Sequence, residues 1–135
     1  MDTSGSKILA ADDDRIVRRI VVAKLSGLGY EVAQAEDGQE ALSLLEDGYV
    51  PDLLITDSLM PRMTGLELVR SIRSSPNASL AKLPVIMLTS RQGEHDVIEG
   101  LQTGLDDYVT KPFSPDELAA RVRTVLWRTR RERGV

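Results

Sequence analysis

Carboxylates, hydroxyls and one lysine recur where short apolar runs of the sequence end. They are Asp12 and Asp13 after the first run, Asp57 after the third, Thr89 and Ser90 after the fourth, and Lys111 after the fifth. Three carboxylates brought together repel one another unless a cation is present. An oxygen-only ligand set suits Mg²⁺, which typically takes one or two carboxylates, waters and a phosphate oxygen. With a lysine and a threonine nearby, this set favours the formation of an aspartyl phosphate.

The apolar runs alternate with stretches of helical spacing. The runs are Ile8 to Ala11, Tyr30 to Ala35, Leu53 to Thr56, Val85 to Leu88 and Tyr108 to Thr110. The helical stretches contain Val17 to Leu28, Ala41 to Leu45, Leu66 to Ile72, Val97 to Leu101 and Leu118 to Leu126. Ser114 and Pro115 are typical of the N-cap and first position of the last helix. The polar residues from Ser74 to Lys82 predict an exposed loop.

Five strands alternating with five helices predict an α/β fold with a parallel sheet. The length favours a five-stranded, doubly wound sheet of order 2-1-3-4-5, the flavodoxin-like (βα)5 arrangement. In that order the first and third strands are neighbours, so Asp12 and Asp13 are expected beside Asp57. Ligands of such folds bind outside the carboxyl ends of the strands, and the sequence therefore predicts a single site there.

Composition limits the classes of function. The 135 residues are 41% hydrophobic and 28% charged, which is typical of one globular domain. There are no cysteines and one histidine, His95, which excludes thiolate and multi-histidine metal sites. A net charge of −4 argues, on electrostatic grounds, against binding to nucleic acid or to an anionic membrane through this domain. The polar amino terminus contains no apolar segment, and a cytoplasmic protein is expected.

From about Lys7 to Trp127 the chain resembles the receiver domain of bacterial two-component response regulators, including chemotaxis regulators. The resemblance rests on the segments ILAADDD, LLITDSLMPRMTG, VIMLTS and DDYVTKPF, which occur in this order at predicted strand ends. It implies a phosphoacceptor that takes a phosphoryl group onto Asp57 and switches an output surface. It also implies that the domain is not an enzyme in the usual sense, although it assists its own phosphorylation and slow dephosphorylation.

The resemblance assigns roles to the residues of the predicted site. Asp12, Asp13, Asp57 and the backbone carbonyl of Leu59 are expected to hold Mg²⁺ or Mn²⁺, with Asp13 binding directly and Asp12 mainly through a water. Lys111 is expected to pair with the phosphoryl group. Thr89 is expected to bind a phosphoryl oxygen after rearrangement, and Tyr108 to act as the rotameric switch. The side chains of Leu59 and Arg91 are expected to tune the lifetime of the phosphoryl group.

The same resemblance predicts domain limits and partners. Residues 1–6 are expected to be a flexible segment, 7–127 the receiver, and 128–135 a basic tail or the start of a linker. The phosphodonor is expected to be a sensor histidine kinase or a histidine phosphotransfer protein, whereas the sequence does not identify the downstream effector. Residues 94–103 contain no lysine or arginine, so half of the charge pattern that receivers use to dimerise is missing. We therefore expect a weak dimer or none.

Two alternatives to this interpretation come from other classes of protein. A Mg²⁺-dependent haloacid-type phosphohydrolase also uses a nucleophilic aspartate, but it places a second aspartate two residues later, where this chain has Leu59. An interaction module that is never phosphorylated is expected to lack some of the acids, the threonine or the lysine. All of these residues are present here.

Overall fold

A computed structural model describes residues 2–90 and 104–132. Its strands are β1 (Lys7–Ala11), β2 (Glu31–Ala35), β3 (Leu53–Asp57), β4 (Val85–Thr89) and β5 (Asp107–Thr110). The helices within the described residues are α1 (Arg15–Gly27), α2 (Gly38–Glu46), α3 (Gly65–Arg73), the short α4 (Ala78–Ala81) and α5 (Pro115–Glu132). The predicted helical stretch from Val97 to Leu101 lies outside the described residues, as does His95.

All five strands form one parallel sheet of order β2-β1-β3-β4-β5. This confirms the predicted α/β fold and strand order. In the register of β1 and β3, Ala11 pairs with Thr56, so the residues that follow these strands emerge side by side. The strand ends that carry the candidate site residues therefore lie at one edge of the sheet, which we call the carboxyl edge.

Two apolar cores cover the two faces of the sheet, which explains why β1, β3 and β4 are nearly continuous apolar runs. Along β1, Ile8 and Ala10 belong to the core on one face, and Leu9 and Ala11 to the core on the other. The first core is completed by the buried residues of α1 and α5: Val21, Leu25, Leu118, Val122, Val125 and Leu126. The second is completed by those of α2 and α3: Ala41, Leu45, Leu68, Val69 and Ile72. A strand covered on both faces needs apolar side chains at every position.

The connection from Ser74 to Lys82 differs from the predicted loop because it contains helix α4. Asn77 begins this helix, and its side-chain oxygen accepts hydrogen bonds from the backbone N–H groups of Ser79 and Leu80 at 3.0 and 3.3 Å. A single turn of helix produces almost no apolar periodicity, so the sequence pattern did not reveal it. Most of the connection is exposed, as predicted.

Both chain ends make contacts that the sequence did not predict. Thr3 and Ser6 are buried, and the Thr3 hydroxyl lies 2.5 Å from the Tyr30 hydroxyl. Arg130 donates hydrogen bonds to the carbonyl of Asp2 and to the Ser6 hydroxyl, and α5 continues through Glu132. The division of the chain at residues 7 and 127 stays a prediction. No helix within residues 2–90 and 104–132 is long and apolar enough to span a membrane.

Candidate functional site

Asp57 is the last residue of β3 and lies at the carboxyl edge with only 7% of its surface exposed. Its Oδ1 accepts a hydrogen bond from the backbone N–H of Ser58 at 2.8 Å and lies 3.1 Å from the Lys111 ammonium. Burial, followed by the charge of Asp12, raises the pKa of Asp57 to about 6. This carboxylate is therefore held in one orientation while its charge is only partly compensated.

The three acids after β1 have different environments. Asp12 is buried, and its carboxylate accepts hydrogen bonds from the Asp14 backbone N–H at 2.9 Å and from Lys111 at 3.1 Å. Asp13 is exposed. Asp14 is the N-cap of α1 and accepts hydrogen bonds from the N–H groups of Ile16 and Val17. The helix cap accounts for Asp14, which leaves Asp12 and Asp13 for the site.

Asp12, Asp13 and Asp57 form a cluster that we call the acidic pocket. One carboxylate oxygen from each of them lies within 4.8 Å of the others. Oxygens at this spacing are compatible with a divalent cation of the Mg²⁺ type, which prefers carboxylate and water ligands. The structure therefore brings together the three acids that the sequence predicted to meet, and this pocket could bind a metal ion.

Lys111 follows β5 and connects two members of the acidic pocket. Its ammonium lies 3.1 Å from Asp12 Oδ2 and 3.1 Å from Asp57 Oδ1. Its backbone N–H donates to the Thr89 carbonyl at 2.6 Å, which fixes the lysine relative to β4. Burial lowers the pKa of Lys111, but the charges of Asp12 and Asp57 outweigh that effect and leave the pKa above its ordinary value. Lys111 is therefore charged when it contacts the acids.

Thr89 and Tyr108 lie on neighbouring strands beside the pocket. Thr89 ends β4, is buried, and donates its hydroxyl to the Ser90 carbonyl at 3.2 Å. Tyr108 lies on β5 with 39% of its surface exposed. Since Met87 pairs with Tyr108 and Thr89 with Thr110, the side chains of Thr89 and Tyr108 project from the same face of the sheet. This placement is compatible with a joint rearrangement of the two residues.

Leu59 and Arg91 are the two residues expected to tune the lifetime of the phosphoryl group. Leu59, two residues after Asp57, is 60% exposed and is the most exposed leucine within residues 2–90 and 104–132. Its side chain therefore stands at the rim of the carboxyl edge and not in either core. Arg91 lies outside the described residues.

Gly65 permits the close approach of α3 to the end of β3. A Cβ atom added at Gly65 would lie 2.2 Å from the carbonyl oxygen of Asp57. The Gly65 N–H also donates to the Ser58 carbonyl at 2.9 Å and closes the loop between β3 and α3 at its base. A glycine is thus required here by backbone contact with Asp57.

Gly65→Ala is expected to destabilise the fold by about 1–3 kcal/mol because the new methyl group overlaps the Asp57 carbonyl. The free energy of unfolding in urea measures this cost. Gly27→Ala is the matched control, since a Cβ at Gly27 meets nothing within 4 Å and Gly27 also lies in a helix. Equal stability of the two alanine variants would contradict the predicted overlap.

Two arginines that bind partners in other elements were not singled out from the sequence. Arg18 donates to the Asp12 carbonyl at 2.8 Å and to the Gln34 side chain at 3.2 Å, which joins the ends of β1 and β2. Arg62 pairs with the buried Asp37 at the start of α2. A positive charge near a helix N-terminus is unfavourable for the helix dipole. The position of Arg18 near the start of α1 is the one sign in the sequence that this arginine has a partner elsewhere.

Comparisons with known proteins identify the family. The family model described as "Response regulator receiver domain" matches residues 8–123. This protein therefore belongs to the response regulator receiver domain family: it is a phosphoacceptor receiver with an acidic pocket of Asp12, Asp13 and Asp57. A receiver is not a classical enzyme, so the phosphohydrolase alternative is set aside.

Curated relatives are longer than this chain. It is 43% identical over 129 residues to "Probable transcriptional regulator ycf27" of Cyanophora paradoxa, covering 96% of this chain and 52% of that protein. It is 43% identical over 128 residues to "Response regulator MprA" of Mycobacterium sp. (strain KMS), covering 95% and 54%. The chain thus spans about half the length of these relatives.

Solved structures of single receivers resemble the whole described fold. The receiver domain of the Francisella response regulator 1452 has a TM-score of 0.82 at 37% identity, with 93% of this chain and 99% of that chain covered. The chemotaxis response regulator CheY4 of Vibrio cholerae has a TM-score of 0.81 at 34% identity, with 90% and 99% covered. Both comparisons agree with the family assignment.

Proposed function

We propose that the receiver takes a phosphoryl group onto Asp57 from a phosphohistidine of a sensor histidine kinase or histidine phosphotransfer protein. The observation that carries this proposal is the position of Lys111, 3.1 Å from both Asp57 Oδ1 and Asp12 Oδ2. An ammonium ion held beside the receiving carboxylate attracts the negatively charged group that has to approach it. The Ser58 N–H donates to the same oxygen, Asp57 Oδ1, and helps to orient the carboxylate.

The proposed transfer exchanges one bond to phosphorus for another. An oxygen of the ionised Asp57 attacks phosphorus and forms an O–P bond, while the N–P bond of the phosphohistidine breaks. The electron pair of that bond stays on the imidazole nitrogen, which then takes up a proton. Because the pKa of Asp57 is about 6, its carboxylate is mostly ionised at neutral pH and available for attack.

The acidic pocket and the Leu59 carbonyl are the groups that would hold Mg²⁺ or Mn²⁺. The fit rests on the all-oxygen donor set and on carboxylate oxygens within 4.8 Å of one another. We propose that Asp13 and Asp57 bind directly and that Asp12 acts mainly through a water. When bound, the metal supplies neutralisation of the charge on the phosphoryl oxygens.

Phosphorylation is proposed to act through Thr89 and Tyr108. The added group is dianionic and attracts hydroxyl and ammonium donors, so Thr89 would exchange its bond to the Ser90 carbonyl for one to a phosphoryl oxygen. Lys111 would move from pairing two carboxylates to pairing the phosphoryl group. Tyr108 would then change rotamer and alter the output surface.

The partners beyond the phosphodonor are proposed from the relatives. Proteins named as transcriptional regulators match this chain over about half their length, so the effector of such a regulator would lie in a part that this chain does not cover. Direct binding of nucleic acid by the receiver itself is disfavoured by its net charge of −4. We propose a cytoplasmic location, where a histidine kinase presents its phosphohistidine.

Mass spectrometry tests the proposed acceptor. The protein is incubated with acetyl phosphate and Mg²⁺, and the acyl phosphate is located by reductive cleavage and peptide mapping. The expected product carries a single phosphoryl group on the peptide that contains Asp57, and EDTA prevents its formation. A phosphoryl group on a different carboxylate, or none, would refute the assignment of Asp57.

A slow loss of the phosphoryl group is expected from the residues at the approach to Asp57. Leu59 cannot hydrogen-bond an attacking water, and Arg91 can hold phosphoryl oxygens but accepts protons poorly. Replacing both in Leu59→Asn/Arg91→Glu is therefore expected to accelerate hydrolysis by at least about tenfold. The decay of isolated phosphoprotein in Mg²⁺ measures the rate, with each single variant as a comparison. A wild type that decays as fast as the double variant would contradict the prediction.

Activation is expected to leave the protein a weak dimer or a monomer. Within the described residues, Arg121 of α5 already pairs inside the chain, 3.1 Å from Asp107 and 3.3 Å from Glu117. Residues 94–103 supply no lysine or arginine to a partner. Sedimentation velocity with Mg²⁺ and beryllofluoride measures the association. A tight dimer at micromolar protein would show this prediction to be wrong.

A further inference from the structure

The loop between β3 and α3 is attached to the start of α2 by an ion pair outside the acidic pocket. Arg62 contacts a single carboxylate oxygen, Asp37 Oδ2, through Nε at 2.8 Å and through a terminal nitrogen at 2.7 Å. The other oxygen of Asp37 accepts the backbone N–H of Glu40 at 2.8 Å as the N-cap of α2. Both carboxylate oxygens of Asp37 thus have partners: one accepts a hydrogen bond from the helix and the other from the loop.

Asp37 is buried and Arg62 is largely exposed, and this difference favours the ion pair. The Asp37 side chain is 3% exposed and the Arg62 side chain 69% exposed. Without Arg62, this buried carboxylate would lose its cationic partner within residues 2–90 and 104–132, and burial of an unpaired charge is costly. The backbone hydrogen bond from Glu40 and then the contact with Arg62 lower the pKa of Asp37, so the acid stays ionised.

Arg62 has a backbone conformation that arginine rarely adopts. Its φ is +68°, and Arg62 is the one non-glycine residue with positive φ among those that the structure describes. Residues in this region are strained and persist where the surroundings stabilise them. The adjoining backbone is also fitted to α2, since a Cβ at Gly38 would lie 2.6 Å from the Met63 carbonyl. A strained residue whose side chain is bound to the neighbouring helix indicates that the loop has to hold one shape.

The loop that is held in this way connects directly to Asp57. It begins at Ser58 and closes where the Gly65 N–H donates to the Ser58 carbonyl at 2.9 Å. The Leu59 carbonyl, which the proposed function assigns to the metal, lies three residues before Arg62 in the same loop. Fixing the loop at Arg62 therefore fixes the direction of that carbonyl relative to the acidic pocket.

We propose that the Arg62–Asp37 ion pair is a positioning element for phosphoryl transfer: it holds the loop between β3 and α3 against α2 and so keeps the Leu59 carbonyl where it would bind a metal ion. This inference rests on the proposed function. Neither residue touches the reacting atoms. The effect is on geometry, and small errors in the placement of reacting groups are costly in catalysis.

The test compares four variants in rate and in metal affinity at a temperature where all are folded. Arg62→Gln removes the charge, Arg62→Lys keeps it, and Asp37→Asn keeps an oxygen for the helix cap. Arg62→Gly removes the ion pair and also relieves the positive φ, so a slower reaction in this variant is not due to strain. The readouts are the Mg²⁺ dissociation constant and the rate of phosphoryl incorporation from acetyl phosphate.

Loss of the ion pair is expected to weaken Mg²⁺ binding and to slow incorporation, each by about tenfold, in Arg62→Gln, Arg62→Gly and Asp37→Asn. Arg62→Lys is expected to recover part of both. The double variant Arg62→Gln/Asp37→Asn is expected to be no slower than either single variant, because both remove one interaction. Lys24→Gln, which breaks an ion pair with Asp116 between α1 and α5, is the control and should leave both readouts unchanged.

Folded Arg62→Gln and Arg62→Gly with wild-type metal affinity and rate would overturn the proposal, whatever their thermal stability. This failure is distinguishable from failure of the proposed function. If the acceptor assignment is wrong, Asp57→Asn still incorporates the phosphoryl group. If only the positioning role is wrong, Asp57→Asn loses incorporation while the Arg62 variants retain it.

Discussion

Asp57→Asn is expected to abolish phosphoryl incorporation, lowering the rate from acetyl phosphate by at least about 100-fold. The amide that replaces the carboxylate carries no negative charge and is a poor nucleophile, whereas its oxygen can still accept the Ser58 N–H. The variant is also expected to fold well. Because burial and Asp12 raise the pKa of Asp57 to about 6, keeping this acid ionised at neutral pH costs stability, which is recovered as pH falls below that pKa. A neutral amide avoids that cost.

A neighbouring acid provides the control for this experiment. Asp14→Asn removes a carboxylate at the same edge of the sheet but keeps an oxygen for the N–H groups of Ile16 and Val17, as an N-cap asparagine does. It is expected to incorporate the phosphoryl group at close to the wild-type rate. Incorporation into Asp57→Asn at the rate of Asp14→Asn would mean that the acceptor lies elsewhere.

Mg²⁺ is expected to stabilise the wild-type fold, and Asp13→Asn to remove most of that effect. A ligand that binds only the folded state at 100 times its dissociation constant adds about 2.7 kcal/mol to the free energy of unfolding. Removing a ligating carboxylate is expected to weaken binding by about 100-fold, the upper end of the range for supporting groups alone, which at the same Mg²⁺ concentration leaves about 0.4 kcal/mol of the stabilisation. Calorimetric titration and urea unfolding with and without EDTA measure both quantities.

Asp52→Asn separates the effect of the pocket from the effect of net charge. Asp52 lies just before β3, at the opposite edge of the sheet, and accepts the Lys7 N–H at 2.8 Å. Its asparagine variant changes the net charge by the same amount as Asp13→Asn and keeps that acceptor. Equal loss of Mg²⁺ stabilisation in the two variants would show that the ion is attracted by overall charge and does not occupy the acidic pocket.

The sequence by itself determined the parallel α/β fold and the meeting of three acids at one edge of the sheet. Nearly continuous apolar runs predicted strands covered on both faces, and the two cores confirm this for β1, β3 and β4. The acids could be placed together without coordinates because parallel strands all end at the same edge of a sheet. For that reason Asp12, Asp13 and Asp57 were predicted as one cluster, and their carboxylate oxygens lie within 4.8 Å of one another.

Only the tertiary structure decided how the pocket is held. The contacts of Lys111 with two carboxylates and the ion pair of Arg62 with Asp37 join residues far apart in the sequence, and the approach of Gly65 to the Asp57 carbonyl depends on the path of the loop between them. Such contacts depend on side-chain directions and on loop conformations, including the positive φ of Arg62, which leave no periodic pattern in a sequence. Hydrophobic periodicity records which face of an element is buried, whereas the partner of a particular charged group is selected only when the chain has folded.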